Sequence, residues 1–109
     1  MLRSFILTTG GVMLVVSAAG AQDQIARGAQ VYADQKCSMC HSIAGKGNAK
    51  GSLDGVGSKY STADLKAWMV DAKGMTVKTK AARKPDMKNY TLLEPDLDAL
   101  VAYMASLKK

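Results

Sequence analysis

A chain of 109 residues, 48% hydrophobic and 22% charged, has room for one domain, and its composition excludes disordered, collagenous and coiled-coil classes. Fifteen basic against nine acidic side chains give a formal charge of +6, but no motif that reads nucleic acid accompanies that charge, so nucleic acid is not an expected partner. Two cysteines and a single histidine are scarce enough that their placement carries information.

The N-terminus has the layout of a secretory signal peptide. Arg3 supplies the positive start, an apolar stretch runs from Phe5 to about Val16, and Ala19-Gly20-Ala21 is an A-x-A-type cleavage site. Thr8, Thr9, Gly10 and Gly11 interrupt the run, which is short of the roughly 20 apolar residues that a membrane span wants. The expectation is cleavage after Ala21, giving a signal segment 1–21 and a mature domain 22–109; an uncleaved N-terminal anchor is the alternative. Cleavage removes one charge, Arg3, and leaves a net of +5. A domain this small needs a staple to supplement its core.

Three helices are expected along the mature chain, joined by long loops, and the class is all-α. The first spans about Asp23 to Lys36, with Ile25, Gly28, Ala29 and Tyr32 on one face. Residues 42–60 read as loop, because Gly45, Gly47, Gly51, Gly55 and Gly57 lie close together with little apolar periodicity. The second helix spans about Thr62 to Ala72. Ser61 and Asp64 have capping-box spacing, Leu65, Trp68, Met69 and Ala72 form the apolar face, and Gly74 suits a C-terminal stop. Residues 75–93 read as irregular, with a lysine-rich run ahead of Pro85-Asp86-Met87. The last helix spans about Pro95 to Leu107. Proline suits its first turn, Asp96 and Asp98 its positive end, and Lys108 and Lys109 its negative end. Leu97, Leu100, Val101, Met104 and Leu107 make its buried stripe. No strand and no internal repeat is expected.

Cys37-Ser38-Met39-Cys40-His41 is C-x-x-C-H, the haem c attachment motif. Two thiols at this spacing bond the two vinyl groups on one edge of a porphyrin, and one short turn of backbone spans that edge. The adjacent His41 is then directed under the ring as an iron ligand. Other readings of the pair are weaker. A disulfide between 37 and 40 closes a tiny loop and removes little chain entropy. A thioredoxin-like pair belongs beside a βαβ pattern, which is absent here. A zinc site wants four ligands, and two cysteines with one histidine fall short unless a carboxylate joins. One covalent haem per chain, a large apolar plate, would be the missing staple; its two propionates would lower the mature charge to about +3.

The mature chain resembles the class I cytochrome c family over nearly its whole length. The resemblance rests on Gly28-x-x-x-Tyr32 leading to Cys37, the motif Cys37 to His41, Leu53-Asp54-Gly55-Val56-Gly57, Lys84-Pro85-x-Met87 and the closing Leu97 to Tyr103. It implies the small cytochrome c fold and a methionine sulfur as second axial ligand, which raises the reduction potential. Met87 matches the family's ligand loop, stiffened here by Pro85. Met75, also expected in a loop, is the second contender. Met39 lies inside the motif and cannot reach the opposite face, while Met69 and Met104 sit on apolar helical faces and read as core. The family fixes its ligating histidine by a hydrogen bond from the other ring nitrogen to a backbone carbonyl, commonly at a proline. No proline lies in the 42–57 loop, and Gly51 is the nearest equivalent by position. Gly28 and Tyr103 resemble the close crossing of first and last helices. Trp68 and Tyr60 are candidate donors to haem propionates, with plain core packing as the alternative for each.

Lysines crowd Lys46 to Lys59 and Lys73 to Lys88. If those loops frame the haem edge, they would steer the chain toward transient redox partners with acidic docking surfaces. Function follows in three alternatives. The first is a periplasmic carrier of single electrons that is not itself an enzyme, because iron held from both sides has no open site. The second is a haem subunit docked permanently to a larger oxidoreductase. The third is an open-site haem enzyme or gas sensor in which Met87 does not bind.

Overall fold

The computed structural model describes residues 10–11 and 17–109; Arg3 and most of the 5–16 apolar run of the expected signal segment lie outside them. Helix α1, Ser17–Asp34, starts earlier than the expected Asp23 and stops two residues before Lys36. The stop has a local cause. Lys36 takes the left-handed conformation at φ 57, which costs a non-glycine residue about 1 kcal/mol and turns the chain into a single 3₁₀ turn, Cys37–Met39. None of the described helices is long and apolar enough to cross a membrane.

Contrary to the expectation of no strand, the 42–60 stretch holds a minimal antiparallel hairpin. β1, Ser42–Ile43, pairs with β2, Lys46–Gly47, in the register Ser42 opposite Gly47. Ala44 and Gly45 form its turn with φ of 51 and 79, both positive as a tight hairpin needs, and the Ala44 N–H donates to Asp54 Oδ1 at 2.8 Å. A 3₁₀ turn, Ala49–Gly51, and a one-turn helix α2, Val56–Lys59, follow. Within α2, a Cβ on Gly57 would overlap the Ala105 carbonyl oxygen. The Gly57 N–H also donates to Leu107 O at 2.8 Å, so α2 lies directly on the end of the last helix.

The middle of the chain departs most from expectation. Helix α3 is Thr62–Val70, capped as its sequence implies by Ser61 Oγ accepting from the Asp64 N–H at 3.2 Å. Asp71 then ends α3 and caps the next helix, α4, Ala72–Thr79. Its carboxylate accepts from the Gly74 N–H at 3.2 Å. Gly74 is therefore in the first turn of a new helix and not a stop, and residues 75–79 are helical where irregular chain was expected. Helix α5, Glu94–Ser106, carries Pro95 in its first turn with Glu94 and Asp96 at its positive end.

The core is the meeting of α1, α3 and α5. Val31, Leu65, Met69, Leu97, Leu100 and Met104 form one buried cluster, and full burial of each such side chain is worth about 1.5–3 kcal/mol. Tyr32, Leu53, Val56, Tyr60, Met87, Val101 and Leu107 pack against it from the rim. Where α1 crosses α5, a Cβ on Gly28 would overlap the Ala99 carbonyl oxygen and stand 2.6 Å from Tyr103 Cβ. This close approach is the one the resemblance implies for Gly28 and Tyr103, and it explains why Ala99 is fully buried. The Arg27–Asp96 ion pair, 2.6 Å, closes the exposed side of the crossing. The fold is all-α apart from the small hairpin, with long loops between helices.

Candidate functional site

The 3₁₀ turn after α1 presents both cysteines as free thiols, Cys37 half-buried and Cys40 exposed. Burial, first of all, pushes the Cys37 thiol up, with nearby Cys40 adding to the rise; its own backbone hydrogen bond and the Lys88 charge oppose it. The turn is held by Cys40 N–H and His41 N–H donating to Cys37 O at 3.1 and 2.9 Å. These bonds fix the His41 backbone to the turn that carries the two thiols.

His41 Nδ1 lies 2.9 Å from Gly51 O. A carbonyl oxygen only accepts, so Nδ1 carries the proton and Nε2 is left with a free lone pair, the tautomer a metal-binding imidazole needs. Burial is the chief cause that lowers the basicity of the imidazole, with the Gly51 bond opposing and the Arg83 charge adding to the lowering. Gly51 is the acceptor that its position suggested. It must be glycine for a further reason: a Cβ there would overlap both the Cys40 carbonyl oxygen and Arg83 Nη1. Gly47, at φ 110, is similarly constrained by the His41 carbonyl oxygen. The hairpin is thus a clamp that carries Gly51 onto the histidine, with the Asn48 N–H donating to His41 O at 2.9 Å.

Met87 is half-buried and packs against the core cluster. Its loop is tied down just beyond it. Asn89 Oδ1 accepts from the Lys73 N–H at 3.0 Å, at the start of α4. The Tyr90 N–H donates to Met69 O at 2.8 Å, at the end of α3. Burial, then the nearby Cys37 and Cys40, raises the Tyr90 phenol. Met75, expected in a loop, is instead buried within α4. Met39, between the cysteines, is 71% exposed, and Met69 and Met104 are core residues, as expected.

Two buried polar atoms have no partner among the described residues, Trp68 Nε1 and Tyr32 Oη. Tyr60 meets Trp68 edge to face, while its own neighbour on the surface is Lys59, whose Nζ lies 5.1 Å from the ring centroid. A buried N–H donor without an acceptor costs about 1–3 kcal/mol. An acceptor on a bound group would remove that cost. With two free thiols in C-x-x-C spacing, an imidazole whose outer nitrogen is already occupied and an orphaned buried indole N–H, the residues fit a haem c. Among the described residues no cluster of three His, Cys, Asp or Glu side chains suits a metal ion alone.

Sequence reasoning missed Arg83, Asn89 and Tyr90, which act through long-range contacts that leave no local pattern. The lysines of both basic stretches, among them Lys46, Lys50, Lys59, Lys73, Lys78, Lys80, Lys84 and Lys88, are exposed. Only Lys84 of these has an ion-pair partner among the described residues, Asp86 at 2.9 Å.

Comparison with known proteins gives three findings. The Cytochrome c family model matches residues 25–108. The chain is 31% identical over 91 residues to a cytochrome c oxidase subunit 2 of Alkalihalophilus pseudofirmus, covering 75% of this chain and 25% of that one, so it spans about a quarter of that relative's length. No solved structure matches.

Proposed function

The chain belongs to the cytochrome c family, and on that footing we propose that it carries single electrons between periplasmic redox partners through one haem c per chain, joined by thioethers to Cys37 and Cys40. Membership itself makes the chain a haem-binding domain for electron transfer. The finer assignment gives His41 Nε2 and the Met87 sulfur as axial ligands. Bound there, the haem supplies a one-electron iron couple. The chain's residues do the rest. Gly51 holds the imidazole in one tautomer and orientation, and the anchors at Asn89 and Tyr90 place the thioether from the facing loop. Trp68 offers an N–H to a propionate, with Tyr60 beside it. The core residues exclude water from one side.

The observation that carries this reading is the His41 Nδ1 to Gly51 bond of 2.9 Å, immediately after the Cys37–Cys40 turn. A ring so pinned has one nitrogen committed and the other free, which suits an iron ligand and serves no packing need.

Export is part of the proposal, with cleavage after Ala21. What supports it is that residues 20–24 are exposed in α1 and that a Cβ on Gly20 would meet nothing within 4 Å. Iron held from both sides by the chain leaves no place for substrate, so the chain acts as a carrier and not as an enzyme. Its exposed, unpaired lysines would favour partners with acidic docking surfaces through weak, transient contacts.

The test is the absorption spectrum of wild type and Met87→Ala, made with a haem-attachment system. The expected result is sharp reduced c-type bands, plus a sulfur-to-iron charge-transfer band in the wild type that vanishes in the variant. A sulfur band that survives moves the ligand to another methionine. A wild type with no sulfur band and rapid carbon monoxide binding points to an open-site enzyme or sensor instead. No attached haem overturns the reading.

One observation favours a second reading. The matched stretch is a quarter of an oxidase subunit, which favours a permanent haem subunit docked to a larger oxidoreductase. Obligate co-purification with a catalytic chain would decide for that reading, and a monomer in solution for the carrier.

A further inference from the structure

We propose that Arg83 is a positioning residue for the iron's histidine, acting through Gly51: its guanidinium, seated against the Gly51 backbone, weakens the His41–Gly51 hydrogen bond and thereby raises the reduction potential. The proposal rests on the reading of His41 as an iron ligand, and its test is separable from that reading.

The geometry is specific. Arg83 comes from the loop that leads to Met87, four residues ahead of it. It reaches the opposite loop, where a Cβ on Gly51 would overlap its Nη1 and stand 3.0 Å from its Cζ. The guanidinium therefore fills the space a side chain at position 51 would take. The same residue 51 offers its carbonyl to His41 Nδ1 at 2.9 Å. Arg83 itself has neither a hydrogen-bond nor an ion-pair partner among the described residues, and it is exposed. Its neighbour Lys84 is paired with Asp86, so the Arg83 charge stands uncompensated beside this peptide.

The physical consequence follows in two steps. A positive charge beside a peptide draws electron density from its carbonyl, which then accepts less strongly from Nδ1–H. A ligating imidazole whose outer proton is held less strongly has less anionic character and donates less to the metal. The reduced state gains relative to the oxidised one, and the potential rises. Arginine keeps its charge at every working pH, so the contribution is fixed and not a switch. The 80–83 and 49–51 segments also become mechanically linked, one carrying the approach to Met87 and the other the acceptor for His41.

The experiment uses the haem-loaded full chain as wild type, Arg83→Gln and Arg83→Lys. It reads the midpoint potential, the sulfur-to-iron band and the His41 Nδ1–H proton resonance of the ferrous protein. Arg83 is exposed, so neither change threatens the fold. In R83Q the equilibrium constant for reduction is expected to fall about fivefold, or about 40 mV at 59 mV per tenfold for one electron. The Nδ1–H resonance should move downfield with the sulfur band intact, and R83K should hold both quantities near wild type. An unmoved potential in R83Q overturns the proposal. So does a lowered potential with the Nδ1–H resonance unmoved, because the charge then acts on iron through space. Loss of the sulfur band in R83Q overturns it too, since Arg83 would then hold Met87. R83K falling as far as R83Q would exclude a role for the charge. A wild type without attached haem would instead defeat the ligand assignment.

Discussion

Trp68 and Tyr60 meet edge to face, ring centroids 6.4 Å apart and planes at 65°, yet Trp68 Nε1 is buried beside that contact with no acceptor among the described residues. An indole in core packing alone would be served as well by phenylalanine. If a propionate accepts from Nε1, the bond is charge-assisted and worth about 1.5–3 kcal/mol. Trp68→Phe should therefore lower the unfolding free energy of the haem-loaded protein by about that amount in denaturant titration. A loss below about 0.5 kcal/mol, the size of an ordinary surface change, would show that Nε1 has no partner there.

Gly28 is expected to tolerate no side chain. The atoms a Cβ would strike are the Ala99 backbone and Tyr103 Cβ, neither the flexible end of a long chain, so α1 and α5 would have to separate. Overpacking of this kind costs about 1–3 kcal/mol, and Gly28→Ala should fall toward the upper end. The intrinsic preference of a helix for alanine, about 1 kcal/mol, works in the other direction. An unchanged or raised midpoint of thermal unfolding would contradict the close crossing.

Tyr32 supplies an alkaline limb to stability. Burial first, then Cys37 and Tyr103, pushes its phenol from 10.0 up to about 12. The folded state thus holds this proton more tightly than the unfolded state does. The contribution is complete below about pH 10 and is lost as pH rises from there through about 12. Thioether formation removes the Cys37 charge, but burial, the larger cause, remains. Unfolding free energy measured from pH 9 to 12 should fall less steeply in Tyr32→Phe than in wild type. Parallel curves would show that Tyr32 titrates normally.

The exposed lysines predict a dependence on salt. Bimolecular electron transfer with an acidic partner should slow steadily as ionic strength rises from 10 to about 150 mM, a range over which the screening length shrinks from about 30 to 8 Å. Lys78→Glu should lower the low-salt rate and flatten the slope. A rate indifferent to salt would mean that the basic loops lie away from the docking face.

Asn89 is expected to hold the Met87 loop. Asn89→Ala deletes the acceptor for the Lys73 N–H at 3.0 Å, a loss of about 0.5–1.5 kcal/mol. The sulfur-to-iron band should then disappear at lower temperature or denaturant than in wild type, ahead of global unfolding. Coincident loss of band and helix signal would show that the anchor does not act locally.

Much of the site was legible because its chemistry is local. Cys37, Cys40 and His41 lie within five residues, and Gly51 could be placed from its spacing to Leu53 and Gly55. The α5 stripe and the Ser61 cap were equally readable, since period and cap are short-range signals. What escaped notice depends on contacts that sequence spacing does not encode. Asp71 restarts a helix three residues before a glycine that reads as a stop. The hairpin strands have two residues each, too few to show alternation. Val31 and Ala99 are buried because α1 and α5 cross near Gly28, and Arg83 matters only because the 80–93 loop folds back over the 42–51 one.

The α1–α5 crossing also gives the chain an order of events. The residues that meet there, Gly28 and Tyr103, lie at opposite ends of the domain, and both ligand loops are strung between them. Folding is thus the closing of a ring, whose last contact waits for the final helix to be synthesised. The entropy of closing so long a loop grows only slowly with its length, and the buried cluster repays it at once. Until α5 arrives, the turn bearing Cys37 and Cys40 has already been made and lies open. Haem attachment at those two sulfurs would therefore have an interval, set by the arrival of α5, in which the polypeptide is long enough to be modified and not yet closed.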